Sequence, residues 1–253
     1  MGIVFVLANP KEGTKYIAHM LQPIPNSYVR WEPDTQRLRA NYTEIAKWFH
    51  KGDDSALEEF WKRKLDFILK SNRINRLHFE SDFRFIMVWA KYALRDIPDF
   101  KVVFMDREPA LIAASLAWAG FGIDKNKGGL GTGFLLQPGQ PRTTYEYTGS
   151  PDDSVAKMIW HTFEINELKR RFMIDNPQVP VFHFHLQYNR DTYTFKRLFK
   201  FLGVPHCSEV IERVKEDPVM NSWKRLHKHK HLASIEEVYH RVSKYEMNLK
   251  QRR

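Results

Sequence analysis

Cysteine and long apolar runs are what this sequence has least of. The 253 residues include one cysteine, Cys207, which excludes an intrachain disulfide and suits a reducing compartment. No apolar stretch approaches the roughly 20 residues that a membrane-spanning helix needs. The first residues lack a basic leader and a cleavage signature, and Val6 stands where a myristoylation signal has Ser or Thr. We therefore expect a soluble, cytoplasmic protein with no membrane span.

Linkers and clustered metal ligands are also missing. No long Gly/Ser/Pro tract or repeat divides the chain, and 43% hydrophobic residues are enough for one substantial core. We expect a single domain over residues 1–253. The alternating histidines have no cysteine or acidic partner at a spacing typical of structural zinc, so we expect no metal. These histidines are His183, His185, His227, His229 and His231.

The pattern that is present alternates strands with helices. Short β-branched runs predict strands, and apolar residues at helical spacing predict helices. This alternation favours an α/β fold with a mostly parallel sheet flanked by helices, which binds its ligands at the carboxyl ends of the strands. The predicted strands are 3–8, 76–80, 101–106 and 180–184, and the predicted helices are 14–21, 42–50, 55–69, 83–94, 109–118, 154–172 and 192–202.

The turn after the first strand has the composition of an anion site. A helix that begins near Thr14 would direct unpaired N–H groups and its positive dipole end toward a ligand. Gly13 permits close approach of the backbone, and Lys11 adds a positive charge. The stretch lacks the two glycines and the Lys-Ser/Thr pair of a nucleotide-triphosphatase loop.

Three elements resemble the sulfotransferases that use 3′-phosphoadenosine 5′-phosphosulfate (PAPS). The turn at residues 10–14 resembles their Pro-Lys-x-Gly-Thr loop. Arg107 and Ser115, with Pro109 at a predicted helix start, have the spacing of the family's 3′-phosphate contacts. The helix that ends in Phe-Leu-Gly-Val-Pro at Pro205 is the third element.

The resemblance implies a three-layer, P-loop-like sulfotransferase architecture. It implies a PAPS-dependent enzyme that transfers a sulfuryl group in line to a hydroxyl or amine of a small-molecule or carbohydrate acceptor, with 3′-phosphoadenosine 5′-phosphate (PAP) as product. It also implies a set of nucleotide-binding residues. They are Pro10, Lys11, Glu12, Gly13, Thr14, Lys15, Arg107, Ser115, Trp223, Lys224 and Arg225.

Two residues of the first turn depart from the family pattern. Glu12 stands where relatives have a small hydroxyl residue, and its carboxylate would oppose an anion unless the side chain points outward. Lys15 replaces a neutral residue and partly offsets that charge. Altered donor use and a non-catalytic relative therefore remain open.

Sulfuryl transfer needs a cation and a base. Lys11 is expected to stabilise the oxygen that leaves sulfur. The resemblance points to a histidine or glutamate that takes the acceptor's proton. Glu80 is our first choice because strand ends face the ligand cleft, Glu32 is the second and His78 the third.

The C-terminal segment, residues 221–253, is basic. From Trp223 onward it carries nine lysines and arginines against three glutamates, within a chain of formal net charge +10. In the sulfotransferases such a segment covers the nucleotide's 3′-phosphate, which we favour. We expect the core to fold without the chain after Val219. A nucleic-acid-binding protein that uses this segment, or a P-loop kinase relative, is the alternative.

The stretch from 120 to 151 is rich in glycine but has neither the preceding strand nor the following helix of a dinucleotide motif. Loops of this length usually cover a site. We expect a mobile loop whose Phe134, Leu135, Tyr145 and Tyr147 line an acceptor pocket.

Overall fold

The computed structural model describes residues 2–32, 42–119, 136, 138–139, 143–150, 152–188, 191–216 and 233–251. The chain divides into two compact units, each with its own hydrophobic core. Unit 1 comprises Met1–Asp106 and Leu168–Met220, and unit 2 comprises Arg107–Glu167 and Asn221–Arg253. The single domain expected from the sequence remains a prediction.

Unit 1 contains a five-stranded, entirely parallel sheet in the order β2-β3-β1-β4-β5. The central strand β1 pairs with both β3 and β4, so its carboxyl end lies where the ligands of such sheets bind. The sheet confirms the α/β class predicted from the sequence. The strands are β1 Gly2–Leu7, β2 Ser27–Trp31, β3 Leu77–Ser81, β4 Phe100–Asp106 and β5 Val181–His185.

Both faces of the sheet are covered, which explains why β1 is a continuous apolar run. Val4 and Val6 join the core cluster of unit 1 on one face. Phe5 points to the other face, because side chains alternate along a strand. Its ring stacks on that of Phe85 with centroids 4.4 Å apart.

The helices begin and end within a few residues of the predicted positions, apart from two that the sequence analysis did not identify. Residues 83–94 are not one regular helix, because Phe85–Trp89 form a π-helical turn that continues into α4. The helices are α1 Thr14–Leu21, α2 Tyr42–Lys51, α3 Asp54–Ile74, α4 Ala90–Asp96, α5 Pro109–Trp118, α6 Ser154–Asp175, α7 Thr192–Leu202, α8 Ser208–Glu216 and α9 Ile235–Gln251, of which α8 and α9 were not predicted.

In unit 2, α9 packs against α5 as part of the core. Val238 and Val242 are buried in the same cluster as the apolar residues of α5, and the indole N–H of Trp118 donates to the carbonyl of Ala233 at 3.0 Å. For unit 2, this packing argues against the expectation that the core folds without the chain after Val219. Removing α9 would expose the apolar face of α5 to water.

Candidate anion-binding loop and active site

The loop between β1 and α1 has an unusual backbone. Lys11 has φ 69° and Gly13 has φ 90°, both in the left-handed region. A non-glycine residue pays roughly 1–2 kcal/mol for that conformation, and such residues concentrate at ligand-binding sites. Gly13 is the N-cap residue of α1, so the loop delivers its backbone directly to the helix N-terminus.

Gly13 is required by packing as well as by its dihedral angle. A Cβ placed on it would lie 2.7 Å from Cδ1 of Leu186 and 3.4 Å from Cε of Met105. The loop thus packs directly on Leu186, which follows β5, and on Met105 of β4. A larger residue would have to displace either the loop or Leu186.

Glu12 turns into the protein. Its side chain is fully buried, and its carboxylate accepts hydrogen bonds from the backbone N–H of Asn9 at 2.5 Å and from the side-chain amide of Asn9 at 3.2 Å. The backbone N–H of Glu12 donates to the carbonyl of Asn9 at 3.2 Å. The carboxylate therefore closes the turn from inside.

Lys169 on α6 provides the cation for Glu12. Its ammonium group, also buried, donates to both carboxylate oxygens at 2.9 and 3.0 Å and to the carbonyl of Met105 at 2.7 Å. Burial raises the pKa of Glu12, while Lys169 and the hydrogen bonds from Asn9 act in the opposite direction. Sequence reasoning missed this pair because the partners are 157 positions apart.

Lys11 and Glu32 are electrostatic neighbours. Burial lowers the pKa of Lys11, and the negative charge of Glu32 opposes that shift. Glu32 directly follows β2, has φ 47°, and donates its backbone N–H to the carbonyl of Ser81 at 3.2 Å. Both side chains are only partly buried, and Glu32 is near enough for its charge to act on Lys11.

Lys15, the other departure from the family pattern, is exposed on the first turn of α1. Its ammonium group lies 5.4 Å from the ring centroid of Trp31. Thr14 is buried, and its carbonyl accepts a hydrogen bond from the hydroxyl of Ser81 at 2.7 Å. These contacts connect the start of α1 to β2 and β3.

Glu80 and His78 lie inside the protein. The carboxylate of Glu80, 1% exposed, accepts from the buried ammonium of Lys64 at 2.6 Å and lies 3.0 Å from Nε2 of His78. Burial alone would raise the pKa of Glu80, but Lys64 and His78 outweigh it and lower the pKa to about 2. A buried carboxyl group with so low a pKa is a poor proton acceptor at neutral pH. This geometry argues against our first choice of base, and against His78 as well.

Arg107 and Ser115 both belong to unit 2 and are half-buried. Arg107 precedes the N-cap Glu108 of α5, and Pro109 occupies the first turn as predicted. The hydroxyl of Tyr239 on α9 donates to Glu108 at 2.7 Å. Burial and this carboxylate raise the pKa of Tyr239 to about 12, although the positive charge of Arg107 acts to lower it.

Tyr145 and Tyr147 are held against α6, although the sequence predicted a mobile loop. The backbone N–H groups of Thr144 and Tyr145 donate to the carboxylate of Glu164, which is buried. The indole N–H of Trp160 donates to the carbonyl of Tyr145 at 2.8 Å. Phe134, Leu135 and the glycines from 128 to 133 lie outside the described residues.

Several other sequence-based expectations also fall outside the described ranges. Trp223, Lys224 and Arg225 belong to this group, as do His227, His229 and His231. Of the earlier histidines, His185 pairs with Asp106 at 2.7 Å. Among the residues that the structure does describe, no three His, Cys, Asp or Glu side chains form a metal-binding group. Within the same ranges, no helix combines the length and apolarity needed to cross a membrane.

Replacing Gly13 by alanine should cost more stability than the same change at Gly52. Gly52 also has a positive φ of 69°, but a Cβ there would meet nothing within 4 Å. Gly52→Ala pays only the dihedral cost, roughly 1–2 kcal/mol, whereas Gly13→Ala adds a clash with Leu186 worth about 1–3 kcal/mol. Denaturant unfolding of both variants measures the difference, and equal losses would contradict the packing described for the loop.

Lys169→Met should lower the free energy of unfolding by about 3–5 kcal/mol, because it leaves the Glu12 carboxyl buried without its cation. Adding Glu12→Gln should restore part of the loss, since the double variant has no unpaired charge. Lys70→Met is the control, because Lys70 forms an exposed pair with Asp66 worth under about 1 kcal/mol. Losses that simply add in the double variant would show that Glu12 and Lys169 are not coupled.

No family model matches the chain, and no curated protein matches it. Among solved structures, the chain is similar to a sulfotransferase domain from the curacin biosynthetic pathway, with a TM-score of 0.51 and 13% sequence identity. The match covers 96% of this chain and 97% of that domain. The likeness shows that this chain has a sulfotransferase-like fold, an α/β architecture with a parallel sheet flanked by helices.

Proposed function

We propose that this protein is a sulfotransferase that uses PAPS as donor and transfers a sulfuryl group to a hydroxyl or amine. The observation that carries the proposal is the β1–α1 loop. Lys11, in a strained left-handed conformation, and the glycine-started helix α1 lie together at the carboxyl end of the central strand of a sulfotransferase-like sheet. Helix N-termini at such positions bind phosphate and sulfate groups.

The loop would bind the 5′-phosphosulfate through its backbone. The N–H groups at the start of α1, from Gly13 to Lys15, and the hydroxyl of Thr14 are the hydrogen-bond donors, and Pro10 enters the loop. Since Lys169 neutralises Glu12 from behind the loop, Glu12 supports its shape and does not repel the ligand. In this proposal Glu12 holds the loop together through Asn9 and Lys169 and does not contact the nucleotide.

The 3′-phosphate would be bound by Arg107 and Ser115, with Trp223, Lys224 and Arg225 as further contacts. Charge-assisted hydrogen bonds from a guanidinium group to phosphate are about twice as strong as neutral ones. The spacing of Arg107 and Ser115 around the start of α5 supports this assignment.

In the proposed chemistry, PAPS supplies the sulfuryl group and PAP is the leaving group. The acceptor's oxygen or nitrogen bonds to sulfur while the bond from sulfur to the bridging oxygen breaks. Lys11 stabilises the negative charge that develops on that oxygen. Its partial burial supports the role, because electrostatic interactions are stronger where water is excluded.

Glu32 is the base that we now favour. It would take the proton from the acceptor's hydroxyl or amine as the bond to sulfur forms. The interaction of its charge with Lys11, its partial exposure and its positive φ support this role. Glu80 has none of these properties, since Lys64 and His78 occupy its oxygens.

The donor assignment is tested by thermal unfolding with PAP and with AMP. PAP carries the extra 3′-phosphate, so it should raise the melting temperature clearly more than AMP at equal concentration. In Arg107→Met the advantage of PAP over AMP should shrink, because the cation proposed to hold that phosphate is gone. Equal shifts by PAP and AMP in the unchanged protein would refute PAPS as the donor.

The catalytic assignment is tested by separating turnover from nucleotide binding. Lys11→Ala should reduce sulfuryl transfer by roughly a hundredfold or more, the scale of losing one preorganised electrostatic group, with a smaller effect on PAP affinity. Glu32→Gln should lower turnover and leave PAP binding unchanged, because a base contacts the acceptor. Lys62→Ala and Glu59→Gln, both exposed on α3, are the matched controls.

The outcomes separate the two roles. Full transfer by Lys11→Ala would show that the proposed mechanism is wrong. Full transfer by Glu32→Gln would show that Glu32 is not the base and would leave the role of Lys11 intact. A panel of phenols, carbohydrates and lipids as acceptors provides the transfer assay.

A further inference from the structure

Unit 2 contains a cavity of about 300 Å³ whose lining includes none of the residues that we assign to donor binding or catalysis. It does include Tyr147, which the sequence analysis expected in an acceptor pocket. It lies between α6 and α9, beside the turn at residues 147–149. Its volume is at the lower end of the range of roughly 300–1,000 Å³ that is typical of small-molecule sites. A site of this size holds one or two fused rings.

Tyr147 forms a rigid aromatic wall of the cavity. Its hydroxyl donates to the carbonyl of Ser150 at 2.7 Å, and its ring meets that of Trp160 edge to face at 6.1 Å. A Cβ on Gly149 would lie 2.5 Å from the Tyr147 hydroxyl oxygen, so the ring lies directly on this glycine. These contacts restrain the ring of Tyr147, which lowers the entropy cost of packing a ligand against it.

The inner part of the cavity is apolar. Ile159 on α6 is buried, Ala156 lies one turn before it, and Tyr245 on α9 contributes a second aromatic side chain. The ring of Tyr245 packs against that of Phe163 at 5.0 Å. Two tyrosine rings and an aliphatic floor favour a flat, apolar ligand body.

One end of the cavity is charged. Its lining has two cations, Arg241 and Lys244, and one carboxylate, Asp153. Arg241 is ion-paired with Asp153 and, at 3.8 Å, with Glu237, so Lys244 is the cation that we assign to a ligand. Lys244 and Asn248 are exposed and therefore lie at the mouth, where one anionic group could meet both.

We propose that this cavity binds a small aromatic molecule with a single anionic group, a carboxylate, sulfate or phosphate. The rings lie against Tyr147, Ala156 and Ile159, and the anion meets Lys244 at the mouth. The residues that carry this site are separate from those assigned to donor binding and catalysis. The inference therefore stands independently of the proposed function.

The test uses 2-naphthoate and its neutral counterpart 2-naphthylmethanol with the full chain. In ligand-observed saturation-transfer NMR titrations, 2-naphthoate should bind with a submillimolar Kd, and the neutral alcohol should bind severalfold more weakly. Lys244→Gln should raise the Kd of 2-naphthoate about two- to fivefold, the effect of one exposed charge pair. Lys250→Gln removes an exposed charge from the same helix outside the cavity lining, and should leave the Kd unchanged.

A second variant tests the apolar part of the site. Ala156→Leu fills the floor of the cavity, so it should abolish binding of both compounds while the melting temperature reports whether the protein is folded. If this variant does not fold, the Kd values of 2-naphthoate for Lys244→Gln and Lys250→Gln decide whether the compound binds in the cavity. Titrations with 2-naphthyl sulfate and 2-naphthyl phosphate identify which anion binds most tightly.

Three results would overturn the proposal. The first is no saturable binding of 2-naphthoate at millimolar concentration. The second is an equal loss of affinity in Lys244→Gln and Lys250→Gln, which would indicate a general effect of charge. The third is undiminished binding to folded Ala156→Leu, which would place the compound elsewhere.

Discussion

The ion pair between Glu12 and Lys169 fixes the part of the molecule on which the proposed chemistry depends. It joins three elements of unit 1, because Lys169 comes from α6, Glu12 from the β1–α1 loop and the carbonyl of Met105 from β4. Burying two opposite charges is costly unless all their hydrogen-bonding groups are satisfied. Here Asn9 and Met105 supply the remaining partners. These contacts hold the loop from its inner side, next to the left-handed backbone at Lys11.

The face of the sheet on which a side chain of β3 lies decides what a carboxylate there can do, even near the end of the strand. Phe79 joins the core cluster of unit 1, so its neighbour Glu80 points to the opposite face, where Lys64 of α3 neutralises it. A strand end is a good general guide to a cleft, but the face on which a side chain lies decides whether solvent or substrate can reach it. Glu32 comes just after the edge strand β2 and is not enclosed in this way.

Local signals made much of the fold predictable. The limits of α1, α5 and α7 followed from apolar spacing together with Gly13, Pro109 and the glycine after α7, all of which act within a few residues. Strand β2 was missed because its sequence, Ser-Tyr-Val-Arg-Trp, does not alternate clearly and its last two residues are exposed at a sheet edge. The partners of Glu12 and Glu80 could not be predicted, since residues 157 and 16 positions away meet them only after the chain has folded.

The long sequence separation of Glu12 and Lys169 has a consequence during synthesis. A ribosome adds roughly 5–20 residues per second, so the 157 residues between the partners take about 8–30 s to emerge. Once β3 and β4 have emerged they can pair with β1, but the Glu12 carboxylate lacks its partner Lys169 until α6 follows. The nascent chain can therefore assemble β1 to β4 of its sheet before the loop can take the shape that we propose for anion binding, which requires α6.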